Sequence, residues 1–290
     1  MIRAVTAAAA TASMAFMAFM AACTSGGAYV APAPMPTQAI AHAPLACDAP
    51  FVSVPPVLDG RFDGDPAWAE APWSGDFVDI EGSARPAPRF RTRMKMCWDE
   101  SFLYVLADLQ EPDLWATLTR HDEIVFRDHD IEVFIDPDGD TREYYEIEVN
   151  AFGTVFDLYL HTPYRAGGPA DHAWNAVGMR QGIDLRGTLN DPRDRDDGWS
   201  IELAIPWSCL QPMGRPGTGA KHQAVALPPR AGDAWRINFS RVEWMLEVRD
   251  GTYAKVPGRP EDNWTWTPQW EINMHVPQHW GTVRFTKEQP

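Results

Sequence analysis

The sequence predicts an all-β fold, a two-sheet antiparallel β-sandwich of the jelly-roll or immunoglobulin-like kind with long loops. Three observations lead to it. Apolar and polar residues alternate with period two in segment after segment, the signature of strands with one face in a core. Clusters of Asp, Pro and Gly separate those segments and read as turns. No long stretch repeats at 3.6 residues, which an amphipathic helix requires. With 290 residues, 45% of them hydrophobic, the chain can bury a real core.

The first 23 residues are not read as fold. Arg3 precedes an apolar run from Ala4 to Met20, and Ala21-Ala22-Cys23 follows. Small residues before a cysteine resemble a bacterial lipobox, so residues 1–23 are expected to be a lipoprotein signal peptide. Cys23 would then be the lipidated residue that ties the protein to a membrane. The alternative is an ordinary signal peptide cut nearby. Thr24 instead of Asp after the cysteine favours the outer membrane, by analogy with lipoprotein sorting. The expectation is an exported protein of the bacterial cell envelope. Residues 24–50, rich in Ala, Pro, Gly and Thr, read as a linker. A single domain is expected over 51–288.

Within it, Phe90–Trp98 alternates apolar residues with Arg91, Arg93 and Lys95, a strand with one polar face. Asp99-Glu100 turns into a second strand, Phe102–Leu109, apolar on both faces. Ile131–Ile135 and Tyr145–Val149 form a pair joined through Asp136-Pro137-Asp138-Gly139-Asp140. Trp199, Ile201, Leu203 and Ile205 alternate up to Pro206, and Trp235–Phe239 and Gly281–Phe285 supply later strands. Pro163–Asp171, Asp191–Gly198 and Gln211–Gly232 read as loops.

Acidic residues outnumber basic ones, 40 to 25, for a net charge of -15. A nucleic-acid partner needs a basic surface, so that class is set aside. Three cysteines remain after Cys23, namely Cys47, Cys97 and Cys209, which permits at most one internal disulfide in an oxidising compartment. The pairing is open.

Five segments in order resemble the family 9 carbohydrate-binding modules and their DOMON-type relatives: Leu58–Trp68, Cys97–Val105, Asp130–Asp140 with Tyr144-Tyr145-Glu146, Gly198–Trp207, and Trp280–Phe285. The resemblance implies a sandwich that binds sugar without catalysis and serves beside glycan-degrading enzymes. In that family two tryptophans hold a sugar end, and charged and amide side chains bond its hydroxyls. The first tryptophan position falls on Phe126 and the second near Met274. The sugar-bonding glutamate falls on Glu132, and the family's arginine position is Glu148. Asn150, on the same strand, joins the candidate set.

The residues themselves offer further candidates. Trp244, Asn263, Trp264, Trp266 and Arg241 could make a glycan platform, since sugar C–H faces stack on indole and hydroxyls need polar partners. The alternative is that Trp264 and Trp266 plug the core. Glu132, Glu146 and Glu148 could supply the paired carboxylates of a glycosidase. Cross-strand ion pairs with Arg91, Arg93 and Lys95 explain them without chemistry, and no GxSxG or HExxH motif is present, so no catalytic role is expected. Asp136, Asp138 and Asp140 could hold a structural calcium, against a plain hairpin turn as the alternative: Thr141 stands where an EF-hand loop needs Gly. His129, between Asp128 and Asp130, could bind a metal, but one His in an acidic run reads as solvated. Two other functions stay open. One is a haem or redox module of the DOMON type, for which Met94, Met96 or Met274 would be the axial ligand. The other is a structural envelope protein.

Overall fold

The computed structural model describes residues 42–211 and 225–287. The expectations for the apolar run, Cys23 and the linker up to residue 41 lie outside the described residues.

The described residues form fifteen strands and short 3₁₀ turns, with no α-helix. In chain order the strands are β1 (Ala46–Pro50), β2 (Val78–Asp79), β3 (Thr92–Trp98), β4 (Phe102–Leu109), β5 (Asp130–Asp136), β6 (Tyr144–Asn150), β7 (Val155–Leu160), β8 (Ala170–Asp171), β9 (Arg180–Arg186), β10 (Gly198–Pro206), β11 (Ala234–Glu243), β12 (Leu246–Arg249), β13 (Thr252–Lys255), β14 (Asp262–Thr265) and β15 (Gly281–Thr286). One sheet runs β1-β15-β11-β5-β6-β7-β8, with β14 also on β11 and β2 on β14. The other is four-stranded, β3-β4-β10-β9, and β12-β13 is a separate hairpin. The pairs are antiparallel except β1 with β15, which is parallel. The sandwich expected from the alternation is present. Its first strand, β1, falls inside the stretch the composition marked as linker.

The two sheets meet through the residues that period two places on one face. Met94, Met96 and Trp98 of β3, Leu103, Val105 and Ala107 of β4, and Trp199, Ile201 and Leu203 of β10 pack against Ile131, Val133 and Ile135 of β5, Tyr145, Ile147 and Val149 of β6, and Trp235, Ile237 and Phe239 of β11. Met94 and Met96 are wholly buried in this core. Met274 packs with Trp280, Phe134 and Tyr144.

The outer face of the four-stranded sheet is covered by the segment before β2. Trp68 is buried there and donates its indole N–H to Glu202 Oε1 at 2.6 Å, while Glu202 Oε2 accepts from the backbone N–H groups of Asp59 and Gly60 at 3.0 and 2.7 Å. Gly60 has φ +80°, and a Cβ there would meet the backbone of Asp184 at 2.1 Å, so no other residue fits. Two of the segments that carry the family resemblance, Leu58–Trp68 and Gly198–Trp207, are therefore held together by one buried carboxylate.

One expectation is corrected. Arg91, Arg93 and Lys95 do not pair with the glutamates of β5 and β6, because they sit on the outside of the opposite sheet. Arg91 and Arg93 bond Asp108, at 3.1 and 3.2 Å, and Lys95 donates to the Trp68 carbonyl at 2.6 Å. Cys47, Cys97 and Cys209 are all free thiols, each pushed up in pKa by burial.

Candidate functional site

The face of the large sheet that points away from the core carries the polar residues of the alternation. On β5 these are Asp130, Glu132 and, beyond Phe134, Asp136; on β6 they are Glu146, Glu148 and Asn150. Antiparallel register sets Glu132 directly opposite Glu148 and Phe134 opposite Glu146, with Ser240 of β11 on the other side of Glu132. Side chains directly opposite each other on one face stand about 5 Å apart at Cβ, so like charges there repel. Asp130, Glu132, Glu146 and Glu148 are all buried, and Glu132 and Glu146 alone of the four keep as much as 5% of their surface in contact with solvent. Burial and the neighbouring carboxylates hold Asp130, Glu146 and Glu148 well above the usual carboxylate range. Burial raises Glu132 to about 7, with Glu261 adding to it.

Loops close around this acidic floor. The 3₁₀ turn Val125–Arg127 brings in Phe126, half-buried, whose backbone N–H donates to Glu148 Oε2 at 2.9 Å. Trp244 donates its indole N–H to the Phe126 carbonyl at 3.0 Å, and Lys255 Nζ lies 3.3 Å from the centre of the Trp244 ring. Burial lowers Lys255 to about 8. Tyr164, exposed, packs edge-on against His275, which approaches Glu146 to 3.9 Å. His275 is held neutral, its pKa lowered to about 3 by burial.

The structure brings Phe126, Glu132 and Glu148 together with Trp244, which the sequence had grouped with Arg241, Asn263, Trp264 and Trp266 instead. Arg241, Trp264 and Trp266 are not brought there. Arg241 and Trp264 lie on the core side of the sheet: Trp264 and Trp266 are 3% and 2% exposed, and both belong to the core between the sheets. Period two places Asn263 on the opposite side from Trp264, so the three cannot form one platform. Asn263 is half-buried and paired with Val242 of β11, on the side of the sheet that Ser240 and Glu132 share. Asn150 sits beside the floor but is fully engaged: it donates to Asp128 and to the Leu118 carbonyl, and its own oxygen accepts from Phe152 and Thr154. Asn150 holds the loop that carries Phe126; it has no group left for a ligand. Met274, at the second tryptophan position, is 7% exposed and packed in a small core.

Tyr164 was missed because its loop gives no periodicity. Asp130 and Glu146 share the parity of Glu132 and Glu148, and that alternation is the signal that finds them.

Arg241 instead builds a buried ion cluster near the C-terminal end of β11. It bonds Glu111 at 2.6 Å and Glu243 at 2.8 Å, and stacks near Trp264. His129, read as solvated, is buried here with Nδ1 3.1 Å from Glu111 and Nε2 3.1 Å from the Trp244 carbonyl. Burial alone would lower its pKa, but the Glu243 and Glu111 carboxylates outweigh that and raise it. In the β5–β6 turn, Asp136 accepts the N–H groups of Gly139 and Thr141, both at 2.9 Å, so its carboxylate closes the hairpin. Its ligand atoms and those of Asp138 and Asp140 still lie within 4.8 Å of one another.

A model of the family described as "Carbohydrate family 9 binding domain-like" matches residues 58–228. The chain is similar to the exoglucanase XynX of Acetivibrio thermocellus, 26% identical over 156 residues, 53% of this chain and 12% of that protein. It is also similar to endo-1,4-beta-xylanase A of Thermoanaerobacterium saccharolyticum, 26% identical over 157 residues, 54% of this chain and 11% of that protein. The match therefore spans only a small part of these enzymes' length. Among solved structures, a family 9 carbohydrate-binding module from Caldicellulosiruptor kristjanssonii in complex with glucose aligns with a TM-score of 0.52 and 17% identity, covering 84% of this chain and 97% of that one. The module from the same organism in complex with cellotriose gives 0.50 and 15%, covering 84% and 95%. A protein from Bacteroides uniformis gives 0.54 and 16%, covering 83% and 99%. At these identities the likeness is one of fold, and it agrees with the sandwich described above. With the family match covering more than half of its residues, the chain belongs to the carbohydrate family 9 binding domain-like family.

Proposed function

We propose that the protein is a non-catalytic carbohydrate-binding module that holds a saccharide over the outer face of β5 and β6, in support of glycan-degrading enzymes. The observation that carries this reading is the juxtaposition of half-buried and exposed rings with a hydrogen-bonding floor: Phe126, Trp244 and Tyr164 adjoin Glu132, Glu146 and Glu148. Rings take the C–H faces of a sugar and carboxylates take its hydroxyls. Membership of a binding-domain family supports a binding role over hydrolysis.

A glycan array followed by calorimetry on the full chain tests the proposal. Glucose and cellotriose, which the solved neighbours hold, are the first probes. Saturable binding that Glu132→Gln or Phe126→Ala weakens is expected. Failure to bind any oligosaccharide on the array removes the reading.

We also propose that Cys23 carries a lipid that tethers the domain to a bacterial envelope membrane. The apolar run followed by Ala21-Ala22-Cys23 supports it. Labelling with a radioactive fatty acid in a bacterial host should mark the wild type and not Cys23→Ser; equal labelling of both would end the idea.

A further inference from the structure

We infer that Asp130, Glu132 and Glu148 form a binding site for a divalent cation, and that the ion they fit is calcium. Each of the three offers a carboxylate oxygen, and these oxygens lie within 4.8 Å of one another. Oxygens at that spacing can touch a single ion at about 2.4 Å, inside the range calcium takes. All three residues are at least nine-tenths buried, and none of the ion pairs among the described residues gives them a Lys, Arg or His.

The second observation is independent of the clustering. Asp130 Oδ1 accepts the Val242 N–H at 3.1 Å, but Asp130 Oδ2 is buried and accepts no hydrogen bond. An unpartnered carboxylate oxygen in a dry site costs on the order of 1–3 kcal/mol, more when charged, so native structures leave one only where something else meets it. Register adds a further cost, because Glu132 and Glu148 are directly opposite and like charges so placed repel. A bound cation removes both.

The donors are all oxygen. Three carboxylates supply the negative charge that a hard dication wants, and Ser240, paired with Glu132 on β11, places a neutral hydroxyl beside them. Zinc favours nitrogen and sulfur ligands. Magnesium keeps several waters in a rigid octahedron, which a closed floor accommodates poorly, whereas calcium accepts six to eight oxygens in flexible geometry. The site differs from the Asp136, Asp138 and Asp140 turn, where Asp136 already serves two backbone N–H groups.

The test needs no sugar, so its failure and the failure of glycan binding are separate results. The full chain is stripped with chelator and titrated with CaCl₂ by calorimetry at neutral pH, with melting temperature read in parallel. One saturable site and a rise in melting temperature are expected. Glu148→Gln and Asp130→Asn should each weaken the affinity at least tenfold, while Asp138→Asn with Asp140→Asn leaves it unchanged. Two isosteric variants are used so that loss of one to misfolding leaves the other readable. No calcium binding at millimolar concentration overturns the inference. So does binding that survives both floor variants, or that vanishes only in the turn variant. Tighter binding of MgCl₂ than CaCl₂ overturns the choice of ion.

Discussion

Glu132 and Glu148 face each other across β5 and β6, both buried, with neither in an ion pair among the described residues. Their placement makes the fold sensitive to pH. Burial, with Glu132, Asp130 and Glu146 alongside, holds Glu148 well above its ordinary value, and Glu132 is raised to about 7. A carboxyl whose folded pKa is raised contributes its full stability below the unfolded pKa of about 4.3 and loses it as pH rises through the folded value. The metal-free protein should therefore be more stable at pH 5 than at pH 8. Glu148→Gln, which keeps the shape and removes the charge, should raise the pH 8 melting temperature by about 2–6 °C and change little at pH 5. Thermal melts of both proteins in chelator decide this, and a lower melting temperature for Glu148→Gln at pH 8 would refute it.

Arg241 is a structural residue by its contacts. It neutralises Glu111 and Glu243 in a fully buried cluster with His129. Removing one member of such a cluster strands the charges it balanced, at a cost of about 3–5 kcal/mol. Arg241→Met should shift the denaturant midpoint accordingly, while glycan affinity per folded molecule stays at the wild-type value. A stable variant that has lost sugar binding would return Arg241 to the ligand face.

The tryptophans separate in the same way. Trp264 is 3% exposed in the core between the sheets, and cutting a buried Trp to Ala costs about 3–5 kcal/mol. Trp244 is half-buried beside Phe126 and Lys255. Trp264→Ala should destabilise strongly, whereas Trp244→Ala should act chiefly on glycan affinity. Chemical denaturation and calorimetry on both variants give the comparison, and the reverse pattern would overturn the assignment of faces.

Glu202 ties the segment before β2 to the four-stranded sheet through three hydrogen bonds, from the Trp68 indole and from Asp59 and Gly60. Glu202→Ala leaves those donors buried without a partner, and each orphan costs about 1–3 kcal/mol. Loss of several kcal/mol of stability is expected, with protease cutting appearing first between residues 52 and 73. A midpoint within experimental error of the wild type would show that the segment holds by apolar packing alone.

Strand identity was legible in the chain because alternation is local. Phe102–Leu109 reads as β4, Ile131–Ile135 and Tyr145–Val149 as the β5–β6 pair, and Trp199–Ile205 as β10, each within a residue or two of its observed bounds. Alternation also fixes parity: Glu132 and Asp130 must share a face, and Trp264 and Asn263 must not. Parity leaves open which face meets the other sheet, and that depends on residues far off in sequence. Arg91, Arg93 and Lys95 alternate like the partners of a carboxylate face, yet they belong to the other sheet and meet Asp108 and the Trp68 carbonyl. Arg241 pairs with Glu111 across 130 residues, and β1 finds β15 from the other end of the domain. Only the assembled sandwich decides such contacts, because hydrophobic burial chooses the inner face first and the charges then take whatever partners that choice leaves beside them.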